Sequence, residues 1–272
     1  MQNRSKEKIR ELWEFIRYVH DSYLTHECTK QAAALAFYGL FSIFPLLLFL
    51  VYISSLYFSS ETSRDVIDAY LYQVIPLVSD DLIMLIDQTI TARGSIGLIS
   101  AVGLLWSGSS IFSSLETTLS RIWGTKPRSY LRRRVLAAMS VLVLGIAFIA
   151  SFFLGPLTSW LFDGILFAYG QFLGSILEIV IVTIAVLLLY RIFPNEYVRW
   201  APAFLGALIS TILIVLVKYF FGFYVNLVIS NYGLVYGSIA WFLALALWVY
   251  IISVLLLMGA EFAAAFQRRY IV

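Results

Sequence analysis

The charge-free stretches constrain this chain more than anything else in it. No Asp, Glu, Lys or Arg occurs between Lys30 and Glu61, between Arg93 and Glu116, or between Arg134 and Asp163. Asp163 to Arg191 contains only Glu178, and Arg199 to Glu261 only Lys218. A helix needs about 20 apolar residues to cross the hydrocarbon core of a bilayer, and these runs are long enough. Composition agrees: of 272 residues, 61% are hydrophobic and 13% charged, against about 45–50% and 25% in soluble domains. A water-soluble fold of this size has a largely polar skin to build. An ordinary soluble enzyme, a disordered chain and a disulfide scaffold are excluded, the last because Cys28 is the lone cysteine. Unbroken apolar runs also exclude the alternating wall of a β-barrel.

The expected fold is an all-α membrane protein with six transmembrane helices, near 33–57, 95–118, 135–161, 172–193, 203–229 and 234–260. The last apolar run is too long for one crossing, and Ser230-Asn231-Tyr232-Gly233 is a turn-type cluster at which it is expected to break. Basic residues mark the cytoplasmic side. Sixteen fall on one side: Arg4, Lys6, Lys8, Arg10, Arg17, Lys30, then Arg121, Lys126, Arg128, Arg132, Arg133, Arg134, then Arg191, Arg199, Arg268 and Arg269. Arg64 and Arg93 alone fall on the other. The expectation is a multi-pass membrane protein with both termini cytoplasmic.

Two regions are distinguished: 1–30, an N-terminal amphipathic cytoplasmic helix, and 31–272, the six-span transmembrane domain. Residues 1–30 do not read as a cleavable signal, since charge replaces the short apolar core one needs. Ile9, Leu12, Trp13, Ile16, Val19 and Tyr23 follow helical spacing. Such a helix either lies in the membrane interface or packs on the ends of the bundle. Residues 59–94 form the sizeable outer loop, with acids at Glu61, Asp65, Asp68, Asp80, Asp81 and Asp87. Two short helices are expected there, as a lid or as a solvated connector.

Ionisable groups inside a bilayer are expensive and need a reason. Glu178 and Lys218 are expected at similar depth, facing the bundle interior and forming a pair. That pair is either a polar site for substrate or protons, or a structural lock on helix register. Glu116 and Glu261 fall at the cytoplasmic ends of spans 2 and 6, where basic residues are expected to meet them, Arg121 beside Glu116. Span 2 carries Ser107-Gly108-Ser109 among many small residues, which serve close helix packing or line a cavity beside a discontinuous helix. Pro45 and Gly155-Pro156 are expected to kink or end their helices. Arg128, Arg132, Arg133 and Arg134 form a juxtamembrane cluster that attracts anionic lipid headgroups at about 1 kcal/mol per charge.

Soluble catalytic signatures are missing from the pattern, and no cofactor, metal or nucleic-acid partner is expected. His20, His26 and Cys28 do not follow a zinc spacing. Small-residue faces leave a homo-oligomer open.

Several short segments carry a resemblance. Gln31-Ala32-Ala33-Ala34-Leu35-Ala36-Phe37-Tyr38 with Phe44-Pro45, Leu115-Glu116 with Arg121-Ile122-Trp123-Gly124, and Pro202 with Gly206-Ala207 are three. Tyr232-Gly233, Tyr236-Gly237-Ser238 and Gly259-Ala260-Glu261 complete the order. Together they resemble the YihY/BrkB family of bacterial inner-membrane proteins. The resemblance implies an association with serum resistance and with transport of lipids or lipopolysaccharide precursors. An older label of the family, the tRNA-processing ribonuclease BN, finds no clustered His and Asp ligands here to activate water. The expected function is a transporter-like protein for an amphipathic substrate; the alternative is a non-transporting envelope-assembly protein.

Overall fold

The computed structural model describes residues 2–57, 93–140 and 170–270, and all regular structure among them is helical. The helices are α1 (Gln2–Thr25), α2 (Cys28–Tyr57) and α3 (Arg93–Ile122). They continue with α4 (130–140), α5 (Gly170–Ile192) and α6 (Trp200–Tyr270). The helices expected in the outer loop, Gly155-Pro156 and most of the third span lie outside the described residues.

α2 and α3 cover the apolar runs expected at 33–57 and 95–118, and α5 follows the run at 172–193 to within one residue at its end. α2 continues through Pro45 to Tyr57, so that proline does not end its helix early. α3 runs unbroken past Ser107-Gly108-Ser109, which overturns the discontinuous-helix reading. Ser107 Oγ donates to the Gly103 carbonyl (2.8 Å) and Ser109 Oγ to that of Trp106 (2.9 Å). Their hydroxyls are thus satisfied by the helix itself, and no unwound backbone is left for them to serve. α3 stops at Gly124, whose φ of 75° is left-handed. Thr125 N–H donates to Ser120 O (2.8 Å) and Gly124 N–H to Arg121 O (2.9 Å), the paired bonds of a glycine-terminated helix end.

The expected break at Ser230-Asn231-Tyr232-Gly233 is helical, and α6 has 71 residues. A straight helix would hold Ser210 and Leu255 about 68 Å apart at 1.5 Å per residue. Instead Ser210 Oγ donates to the Leu255 carbonyl at 3.2 Å, and the Phe221 and Trp248 rings lie 4.7 Å apart. These pairs run antiparallel, with midpoints at residues 232–235, so the chain reverses direction near the turn-type cluster inside a segment that is helical on either side of it. The two arms, Trp200–Val225 and Phe242–Arg269, are each long and apolar enough to cross a membrane.

The arms meet through small residues. A Cβ on Gly206 would stand 2.5 Å from Gly259 O, and one on Gly259 would stand 2.7 Å from Gly206 O. Tyr190 of α5 closes this crossing. Its buried hydroxyl donates to the Leu256 carbonyl (2.5 Å) and sits 2.7 Å from Ser210 Oγ. Ala203, Ala207, Ala260 and Ala264 are buried around them, whereas Phe204, Ile212, Leu216, Phe220 and Phe223 face outward. Small residues inside and large apolar ones outside is the arrangement suited to lipid, where backbones gain by close approach. In water the same surface would far exceed the apolar patches soluble proteins carry.

α1 packs on one end of this bundle. Val19 is buried, and the Phe15 and Phe262 rings lie 6.0 Å apart. Trp13, Ile16 and Leu24 stay exposed on the same helix, so its apolar arc is wider than its contact with the bundle.

Candidate functional site

The polar residues gather where α1 turns into α2 and where α3, α5 and α6 end. Glu27 makes the first turn, with a φ of 53°. That turn delivers His26 and Cys28 to Glu261 on α6. His26 Nδ1–H donates to Glu261 Oε1 at 2.6 Å, and Cys28 Sγ donates to the same oxygen at 3.4 Å. Glu261 is 1% exposed, so these bonds replace the water it has lost. The basic partner expected at this end is His26 and not a Lys or Arg, and no helical spacing joins positions so far apart. Burial pushes the Cys28 thiol up, and the neighbouring Glu261 carboxylate adds to the rise. The group is a protonated hydrogen-bond donor, unsuited to nucleophilic work.

Glu116 on α3 is also 1% exposed. Its Oε1 accepts from Ser120 Oγ (3.3 Å) and from the Arg128 backbone N–H (3.0 Å), with the Arg128 guanidinium at 3.5 Å. The partner is therefore Arg128 and not Arg121, which is exposed. The turn at Gly124 reverses the chain and brings Arg128 back over the helix end. The same guanidinium donates to Phe193 O (2.6 Å), Pro194 O (3.2 Å) and Ile192 O (3.3 Å). Those are orphan carbonyls at the end of α5, which a cation satisfies well. Arg128 is thus withdrawn from the expected headgroup cluster. Arg133 donates to Thr117 Oγ1 (3.0 Å) and lies over the Tyr130 ring, while Arg132 is exposed and Arg134 partly so.

Arg268 Nη2 donates to the Ile122 carbonyl at the end of α3. Asn195 N–H donates to Ser120 Oγ (3.1 Å), and Asn195 Nδ2 to Lys126 O (3.0 Å). The loops after α3 and α5 are in this way riveted to each other. Among the described residues, no group of three or more His, Cys, Asp and Glu could hold a metal ion.

Lys218, expected to face the bundle interior, is exposed. It lies on a half of α6 whose neighbours Tyr219 and Phe220 are also exposed. The Glu178 side chain lies outside the described residues, and so does its pairing with Lys218. Pro45 packs against α3, where a Cβ on Gly103 would meet it at 3.4 Å. Beside that contact, Ile99, Val102, Gly103 and Trp106 line an open apolar groove of about 460 Å³.

Helices of this length, with small residues at their crossings and large apolar side chains facing out, define a helical membrane protein. The chain belongs to the family described as virulence factor BrkB, whose model matches residues 19–272. It is 28% identical over 259 residues to a UPF0761 membrane protein of Prosthecochloris aestuarii, covering 93% of this chain and 61% of that one. A UPF0761 membrane protein of Chlorobium chlorochromatii is 30% identical over 254 residues, covering 91% and 58%. One from Pseudoalteromonas translucida is 29% identical over 251 residues, covering 88% and 81%. The chain spans about three-fifths of the length of the first two. No solved structure matches it.

Proposed function

We propose that this chain is a transporter-like protein that takes an amphipathic substrate, a lipid or lipopolysaccharide precursor, sideways from the bilayer. The observation that carries the reading is the groove on α3. It is apolar, open, and bounded by Trp106, which is 69% exposed. A pocket of several hundred Å³ with apolar walls suits a hydrocarbon chain. In this reading six spans cross the bacterial inner membrane with both ends in the cytoplasm, as the cation asymmetry favours. Trp13, Ile16 and Leu24 of α1 then rest in the cytoplasmic interface. Arg132, Arg133 and Arg134 meet anionic headgroups there. The assignment requires no catalytic reaction.

The test is photolabelling of the full chain in vesicles with a phospholipid carrying a diazirine on its acyl chain. Labelling is expected on α3 between Ile99 and Trp106, reduced at least fivefold by Val102→Trp, which crowds the groove from its exposed side. Labelling spread evenly over all outward faces, unchanged in that variant, overturns the reading. Reporter fusions at both ends test the topology separately.

The second reading is an envelope-assembly protein that transports nothing. The riveted loops after α3 and α5 favour it, since they fix one end of the bundle as a rigid platform. Lipid flux equal to that of protein-free vesicles would support it.

A further inference from the structure

Two buried polar atoms on α3 have no hydrogen-bond partner: Ser113 Oγ and Glu116 Oε2. Leaving such an atom unmatched is costly, and more so for a charged group. They are one helical turn apart, and residues three apart are neighbours on a helix surface. They also lie in line with the groove. Val102, Trp106, Ser109, Ser113, Glu116 and Ser120 follow one another at alternating spacings of four and three, which keeps them on one face. Along that face exposure falls from Trp106, open, to Ser109 and Glu116, both buried. An apolar, open half and a polar, covered half thus share a single track, about 21 Å long from Val102 to Glu116 at 1.5 Å per residue.

Charge decides what the covered half accepts. Glu116 Oε1 already holds the Arg128 guanidinium and backbone N–H together with Ser120. A second cation would leave uncompensated positive charge in a buried place. An anion would meet the carboxylate itself. A neutral donor suits Oε2, and Ser113 Oγ both donates and accepts. The geometry points to Ser113 Oγ and Glu116 Oε2 as the binding site for an uncharged, hydroxyl-bearing headgroup whose lipid tail lies in the α3 groove. The inference rests on the lateral-entry reading above and adds the headgroup class.

The hydroxyl can come from a lipid or from water, and one experiment separates them. The full chain in vesicles is photolabelled with diazirine-tailed diacylglycerol and with the same lipid capped as its methyl ether. The free hydroxyl is expected to label α3 at least fivefold more than the ether. Ser113→Ala should abolish the difference and Ser113→Thr, which keeps the hydroxyl, should retain it. Glu116→Gln should weaken it, with monodisperse elution confirming that each variant is folded. Equal labelling by both lipids overturns the headgroup assignment, leaving the atoms to a water, while the groove reading survives. If neither lipid labels α3, both readings are overturned.

Discussion

His26 Nδ1 and Glu261 Oε1 stand 2.6 Å apart although 235 positions separate them in the chain. The bond ties the turn between α1 and α2 to the last arm of α6. Its acceptor is enclosed, so removing the donor leaves that oxygen with only the weak Cys28 thiol donor at 3.4 Å. Charge-assisted bonds of this kind contribute about 1.5–3 kcal/mol. His26→Ala is expected to lower the thermal unfolding midpoint in detergent by several degrees. His20→Ala, on the exposed side of α1, should leave it unchanged. Differential scanning fluorimetry of both variants checks this.

Cys28 reports on the same junction. The thiol is fully buried and raised above its ordinary value by burial first and by Glu261 second. An unfolded thiol ionises near pH 8.5. The folded form resists ionisation, so this contribution to stability is intact below that pH and is lost as pH rises above it. The slope approaches about 1.4 kcal/mol per pH unit. Unfolding midpoints followed from pH 7 to 10 should therefore fall less steeply in Cys28→Ala than in the parent. Maleimide at pH 7.5 should label the folded parent more than tenfold slower than the chain in dodecyl sulfate.

Gly259 has no room for a side chain. A methyl there would stand 1.9 Å from Ser210 Oγ and 2.9 Å from the Tyr190 hydroxyl. Overpacking of this sort costs about 1–3 kcal/mol, and here it also disturbs a buried hydrogen-bonded group. Gly259→Ala should lower the yield of monodisperse protein and its melting temperature. Gly222→Ala, which meets nothing within 4 Å, should do neither.

Arg128 and Arg132 should separate cleanly. Arg128→Ala leaves Glu116 without its cation and frees three carbonyls at the end of α5. The expected loss is about 2 kcal/mol, below the range for a fully enclosed pair because the guanidinium is partly exposed. Arg132→Ala should stay within about 0.5 kcal/mol. Chemical unfolding in mixed micelles measures both, and equal effects would contradict the assignment of Arg128 to structure.

Much of the helical layout could be read from the residues, because bilayer length and charge exclusion act locally along the chain. Ser230 to Gly233 marked the neighbourhood in which the chain doubles back. What stayed hidden was pairing across long separations. Arg121 was the natural partner for Glu116 on helical spacing alone. Only the left-handed Gly124, which folds the following loop back, gives that place to Arg128. His26 and Cys28 fit no zinc spacing and were left without a role, because their partner Glu261 was invisible to any local rule. Ser113 passed for one more small residue in a packing face, and its unmatched hydroxyl emerges only when neighbours can be measured.

One guanidinium, that of Arg128, grips both a carboxylate inside α3 and the carbonyls at the end of α5. The two helix ends therefore share a single fastening, and whatever removes that side chain unfastens both at once.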